Sequence, residues 1–210
     1  MTDVLVPGGR DVRGTLEEPS DEPRAVVVAC PPHPQHGGSR ADSRLVAVAE
    51  RLAGCGVATL RFDYGSWDDG YGEREDVCNA IRWARDDDRF DSGAGKALPV
   101  GVFGYSFGAS LALLAASAVD GVDAVSALTP TARLADDLDA LAALESLTMP
   151  VQICYGERDS TVDWEPVVER ARERDNEVTA LAGDHFFVGQ NETIADEVST
   201  FFERTVLQSV

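Results

Sequence analysis

Five residues, Gly104-Tyr105-Ser106-Phe107-Gly108, sit between two apolar runs. The run over 100–103 reads as the end of a buried strand, and the Ala- and Leu-rich run over 109–118 reads as an apolar helix. A chain that passes directly from strand to helix must turn within those five residues. Ser106 then stands on a tight bend in a sparsely populated backbone conformation, at a cost of roughly 1–3 kcal/mol. Side chains two residues before and two after it would collide with neighbouring elements, so glycine suits both places. The hydroxyl is left at the carboxyl edge of a sheet, above the amino end of a helix. Free N–H groups and the positive end of the helix dipole favour an oxyanion there. The alternative is a chance match in a Gly- and Ala-rich chain, and the strand before and helix after argue against it.

The rest of the chain alternates in the same manner. Residues 4–6 and 12–16 predict a hairpin around Pro7-Gly8-Gly9, followed by a polar link over 17–23. Strands are predicted over 25–30, 57–62, 122–128, 150–155 and 178–181. The first of these, Ala25-Val26-Val27-Val28-Ala29-Cys30, is continuous enough to be buried on both faces. Helical spacing runs from 39 or 42 to 52, then over 73–86, 134–147, 166–174 and 194–207. Val77, Ile81, Trp83 and Ala84 should face inward, whereas Asp136, Asp137 and Asp139 should face water. Residues 87–95 read as a solvated connector. Strands alternating with helices imply an α/β fold, a doubly wound, mostly parallel sheet with helices on both faces. Functional sites in such sheets lie beyond the carboxyl ends of the strands. The segment between the strands at 128 and 151 has room for one short helix, too little for a large cap domain.

At 210 residues the chain is most simply one domain, 1–210. It lacks an apolar run of about 20 residues that could span a bilayer. Its start, Met1-Thr2-Asp3-Val4, lacks the layout of a signal peptide, so a cytoplasmic protein is expected. Cys30, Cys55, Cys78 and Cys154 are far apart and read as buried free thiols. The net charge is −19, from 18 Lys plus Arg against 37 Asp plus Glu, and Lys96 is the single lysine. Nucleic acid and anionic membranes are poor partners for such a surface. Self-repulsion of this size is relieved by salt, and the balance resembles that of proteins from salt-accumulating halophiles.

A serine hydroxyl needs a base. Among three histidines, His33 and His36 lie in an early loop, and His185 follows the last strand in Gly183-Asp184-His185-Phe186-Phe187. The base needs a carboxylate to fix its tautomer. Asp159, in Gly156-Glu157-Arg158-Asp159, follows a strand at the same edge; Asp163 and Asp184 are the substitutes, Asp184 being badly placed beside the histidine. An oxyanion requires two N–H donors. One is Phe107, after the nucleophile. The other belongs to the loop Pro31-Pro32-His33-Pro34-Gln35-His36-Gly37-Gly38. Proline has no N–H, so His33 is the first residue that can donate, through its backbone; Gln35 is the fallback. His33 and His36 make poor zinc ligands on a proline-bent loop without an acidic neighbour, and no metal is expected.

On these motifs the chain resembles the α/β-hydrolase superfamily, specifically its small, lidless, dienelactone-hydrolase-like group. Members carry a HPHPLYGG-like loop, an RFNFRG-like segment, GFSFG, GExD and GADHFF. Here Pro31 replaces the first histidine of the loop, and Arg61-Phe62-Asp63-Tyr64 continues into Gly65-Ser66 where the group has Arg-Gly. The resemblance implies a serine hydrolase acting on a small ester or thioester through Ser106, His185 and Asp159, with no cofactor. The cysteine nucleophile of dienelactone hydrolase itself is replaced by Ser106. Rival readings are an acyltransferase or perhydrolase with the same residues, or a non-catalytic binding module. Tyr64, Trp67, Tyr71 and Phe187 are candidates to line a shallow substrate pocket. Whether the chain forms a homo-oligomer is left open by the sequence.

Overall fold

The structure is a computed structural model that describes residues 1–91 and 97–208. The chain order is β1 (Thr2–Val6), β2 (Val12–Glu17), β3 (Ala25–Cys30), α1 (Ser43–Gly54), β4 (Val57–Asp63), α2 (Tyr71–Asp86), β5 (Val100–Tyr105) and α3 (Phe107–Ala116). Then come β6 (Ala124–Leu128), β7 (Arg133–Ala135), β8 (Leu138–Asp139), α4 (Ala140–Ser146), β9 (Val151–Gly156), α5 (Glu165–Glu173), β10 (Glu177–Leu181) and α6 (Asn191–Thr205). Among the described residues eight strands form one sheet in the order β1-β2-β4-β3-β5-β6-β9-β10. The β1–β2 hairpin joins it antiparallel, and every pair from β4 to β10 is parallel.

The parallel centre follows from composition. Every residue of β3 and of β5 is buried, as strands covered on both faces must be. Leu45, Val48 and Leu52 of α1 pack with Ile194, Val198, Phe201 and Phe202 of α6 on one face. Val77 and Ile81 of α2, Leu111 of α3, Leu144 of α4 and Val167 of α5 cover the other. α1 starts where the Asp42 carboxylate accepts the Arg44 N–H at 3.0 Å, and it ends before Gly56, whose φ is 83°. No described helix is long and apolar enough to cross a membrane.

Three sequence expectations are corrected. Residues 134–147 do not form one helix: β7 and β8 make a small hairpin with Asp136 and Asp137 exposed at its turn, and α4 begins only at Ala140. The cause is Asp139, half-buried rather than open to water, whose carboxylate accepts the Ala142 N–H at 2.9 Å and pairs with Arg133. It caps the helix instead of continuing it. The connector after α2 is not wholly solvated, because Phe90 is buried edge-on against Trp83, 5.6 Å between centroids. Residues 92–95 of that connector, and Lys96, lie outside the described residues. Cys30, Cys78 and Cys154 are buried, but Cys55 is half-exposed, its thiol donating to the Glu203 carboxylate at 2.8 Å.

Candidate active site

Ser106 takes φ 56° and ψ −120° between β5 and α3. The bend is tight enough that a Cβ on Gly104 would lie 2.2 Å from the Gly108 carbonyl oxygen, and one on Gly108 2.3 Å from that of Cys30. Backbone fills both spaces, which is why those two positions carry no side chain. The Ser106 N–H donates to the Leu128 carbonyl at 2.8 Å, tying the bend to the end of β6.

The three residues singled out at strand ends converge. Ser106 Oγ lies 2.9 Å from His185 Nε2, and His185 Nδ1 lies 2.8 Å from Asp159 Oδ2. Burial pushes the Asp159 carboxyl up, but the hydrogen bonds from Thr129, His185 and the Thr161 N–H outweigh it and hold the group below its ordinary range. An ionised Asp159 accepts, so Nδ1 carries the imidazole hydrogen and Nε2 is free to accept from the Ser106 hydroxyl. Asp163 and Asp184 do not reach His185: Asp163 accepts the Ala132 N–H through its backbone, and the Asp184 carboxylate caps the Phe186 N–H at 3.0 Å.

The N–H groups of Phe107 and His33 have no acceptor among the described residues. Phe107 opens α3, and His33 opens a short turn over Pro34–His36. Gln35, the fallback donor, is already engaged: its N–H donates to His33 Nδ1 at 3.3 Å. Burial, and then His36 beside it, push the His33 imidazole below its ordinary range, which keeps that nitrogen an acceptor. The His33 ring stacks on His36 at 4.5 Å, and it meets Trp67 at 4.6 Å and Phe107 at 4.8 Å at a tilt.

These groups border an open cleft of about 400 Å³ lined by Pro32, His33, Arg44, Tyr105, Ser106 and Phe186, among others. None of the four predicted substrate residues lines it. Phe187 is 1% exposed, turned at φ 47° into the core against Tyr105, and it is Phe186 that faces the opening. Tyr64 is buried, donating its hydroxyl to the Pro31 carbonyl at 3.0 Å. Tyr71 is exposed and donates to Asp137 at 2.5 Å. Trp67 packs behind the cleft, its ring tilted against those of His33 and Phe107 and its indole N–H donating to Asp69 at 3.1 Å. Another depression, about 430 Å³ between Pro7, Asn79, Arg82 and Trp83, holds no nucleophile and base. No three described His, Cys, Asp or Glu side chains gather as metal ligands.

A family model described as X-Pro dipeptidyl-peptidase (S15 family) matches residues 58–190, well over half of the chain and all three converging residues. The chain belongs to that family. Among solved structures, this S15-family chain is similar to a dienelactone hydrolase from Anabaena variabilis at 23% identity and TM-score 0.75, over 98% of this chain and 96% of that one. It is also similar to Est1E from Butyrivibrio proteoclasticus, with 19% identity and TM-score 0.80 over 96% and 98%. A third match is a lidless α/β serine hydrolase from Xanthomonas campestris, with 20% identity and TM-score 0.75 over 97% and 94%. No curated protein sequence matches significantly. Family and fold together make the chain a hydrolase of the α/β type, and among the described residues only the β7–β8 hairpin and α4 stand where a lid would be inserted between β6 and β9.

Several supports of the S15-family site carried no motif. Burial pushes the Tyr105 hydroxyl up to about 12, so it stays protonated and donates to the His185 carbonyl at 2.8 Å. Arg44 lies over the Tyr105 ring, pairs with Asp42 and donates to the Phe186 carbonyl at 2.7 Å. The Trp164 indole donates to the Asp159 carbonyl at 2.9 Å. Only Tyr105, inside the G-x-S-x-G run, could have been picked out beforehand.

Proposed function

We propose that the chain is a serine hydrolase that cleaves small esters or thioesters in two acyl-transfer steps. Ser106 Oγ attacks the carbonyl carbon as His185 Nε2 takes its proton, and the electron pair of the C=O moves to oxygen. The N–H groups of Phe107 and His33 stabilise that oxyanion. As the tetrahedral adduct collapses, the imidazolium returns the proton to the leaving alcohol or thiol. His185 then draws a proton from water as it attacks the acyl-enzyme, and returns that proton to Ser106 Oγ when the second tetrahedral adduct collapses and releases the acid. Asp159 holds the imidazole tautomer throughout and stays ionised. The observation that carries the reading is the unbroken contact from Ser106 Oγ through His185 to Asp159 Oδ2, at 2.9 and 2.8 Å, beside two N–H groups with no acceptor among the described residues.

The family's name adds a second substrate class, X-Pro dipeptide amides. Reading the free amino end of such a peptide calls for an unpaired carboxylate in the cleft. Asp42, the carboxylate among the described lining residues, is closed onto Arg44, which favours the ester reading. A fluorophosphonate probe tests the nucleophile: labelling lost in Ser106→Ala supports it, and equal labelling overturns it. Hydrolysis of acetyl and butyryl esters, acyl thioesters and X-Pro anilides by the same preparation separates the substrate classes. Transfer to added alcohols or peroxide in preference to water would make the protein an acyltransferase or perhydrolase.

A further inference from the structure

The carboxylate of Asp159 receives three donors from three parts of the fold. Its Oδ1 accepts the Thr161 N–H at 2.9 Å, from its own loop after β9. Its Oδ2 accepts from His185 Nδ1 at 2.8 Å, after β10, and from Thr129 Oγ1 at 2.5 Å, just beyond β6. No sequence motif pointed to Thr129.

We propose that the Thr129 hydroxyl is a positioning group for the Ser106–His185–Asp159 array, fixing which Asp159 oxygen faces His185 and tempering that oxygen's basicity. The proposal rests on reading Ser106 as the nucleophile.

Three observations support it. Thr129 has φ 52°, a region where a β-branched residue is uncommon. Such strain persists only where the surroundings impose it, and it gathers at functional sites. Glycine would relieve the backbone there but would carry no hydroxyl. Secondly, Thr129 is fully buried, and its N–H donates to the Cys154 carbonyl at 2.7 Å. The backbone is pinned to β9, so the side chain reaches Asp159 from a fixed origin. Thirdly, the Asp159 side chain is itself fully buried, and the hydroxyl's one hydrogen goes to that charged acceptor, the stronger class of hydrogen bond.

The chemical effect follows. A carboxylate oxygen that already accepts one strong hydrogen bond is a weaker base toward a second donor. Oδ2 therefore orients the Nδ1–H and stabilises the imidazolium without drawing the proton away. Without the hydroxyl, Oδ2 loses one of its two restraints, so the ring is held less well for attack, and the more basic oxygen keeps the resting imidazole protonated, and unable to act as base, to higher pH.

Thr129→Val is the direct test, because valine keeps the branched shape at the strained φ and replaces the hydroxyl with a methyl group that cannot donate. Thr129→Ser keeps the hydroxyl. The measurement is the rate of phosphonylation by a fluorophosphonate across pH, with the fold checked by circular dichroism. We expect Thr129→Ser within about threefold of wild type and Thr129→Val slower by about tenfold or more, the scale of a lost hydrogen bond to a charged group. The midpoint of the rising pH limb should move upward in Thr129→Val, since the imidazolium persists to higher pH. A folded Thr129→Val with wild-type rate and midpoint overturns the proposal. So does Thr129→Ser as slow as Thr129→Val, which would assign the effect to packing. Should Thr129→Val fail to fold, Thr129→Ala is held to the same outcomes. Labelling of Ser106→Ala at the wild-type rate would instead remove the underlying reading, and the proposal with it.

Discussion

At Ser106 a positive φ, two glycines without room for a Cβ and a histidine 2.9 Å away meet within one turn of chain. On the proposed mechanism Ser106→Ala and His185→Ala abolish ester hydrolysis while the fold survives, which activity and melting curves together would check. Asp159→Asn should cost on the order of 10⁴ in rate by presenting the wrong tautomer, the loss measured in serine proteases. Asp163→Asn should cost little, because only the Asp163 backbone carbonyl is engaged nearby. Gly108→Ala drives a Cβ to within 2.3 Å of one backbone oxygen and 2.4 Å of another, neither of which can step aside. Overpacking of that kind costs about 3 kcal/mol, so Tm should fall by on the order of 10 °C. Asp159 also gives pH dependence a sign. Its folded carboxyl is held below the ordinary 3.8, so the unfolded chain binds its proton first as pH falls. The stability it contributes is complete above that range and disappears as pH drops through 3.8 toward the lower folded value. Urea denaturation of wild type and Asp159→Asn should show a gap at pH 6 that narrows by pH 3.

At the scale of elements, the loop carrying Trp67, which packs behind His33, is held by an ionic cluster at the base of α2. Arg10, from the β1–β2 turn, donates to Asp76 at 2.7 Å and to the Ser66 carbonyl at 2.6 Å, and lies 3.8 Å from Glu73. Asp76 accepts the Gly65 N–H at 2.9 Å, and Glu73 accepts those of Asp68 and Gly70 at 2.9 and 2.8 Å. The side chains of Asp76 and Glu73 are fully buried. A Cβ on Gly65 would come 3.1 Å from the Arg10 guanidinium, so the Gly65 that departs from the group's arginine leaves space that Arg10 occupies. Arg10→Met should therefore cost about 3 kcal/mol in chemical denaturation by stranding buried carboxylates, and adding Asp76→Asn should recover part of it. On the opposite side, only the β7–β8 hairpin and the seven residues of α4 stand between β6 and β9. An open cleft forfeits about 0.8 kcal/mol for each methylene it leaves wet. We expect kcat/KM to stop rising beyond butyryl or so across an acetyl-to-palmitoyl series; a steady rise to palmitoyl would contradict that. Most strands and helices could be located from the period of their apolar residues. The hairpin could not, because Leu134, Leu138 and Leu141 also fit a helical period, and the local capping by Asp139 outweighed it.

For the whole molecule, carboxylates outnumber cations by 37 to 18. Repulsion of that kind reaches about 10 Å at 0.1 M salt and only about 3 Å at 1 M. Tm should accordingly rise by several degrees between dilute buffer and molar KCl, and a flat melting curve across that range would reject a salt requirement. The same sequence already specified the doubly wound sheet, the G-x-S-x-G bend and the order Ser106, Asp159, His185. Each depends on local chemistry: β-branched runs buried on two faces, glycines where a Cβ cannot fit, and polar residues just past strand ends. The supports of the site were not readable in that way. Thr129 reaches Asp159 across 30 residues, Tyr105 reaches His185 across 80, and Arg44 reaches Phe186 across 142. Such contacts exist only once β6, β9 and β10 lie side by side, because strand pairing fixes which loops meet. The choice of Phe186 over Phe187 at the cleft was likewise settled by the left-handed turn at Phe187, which sends one ring into the core and leaves its neighbour facing the opening.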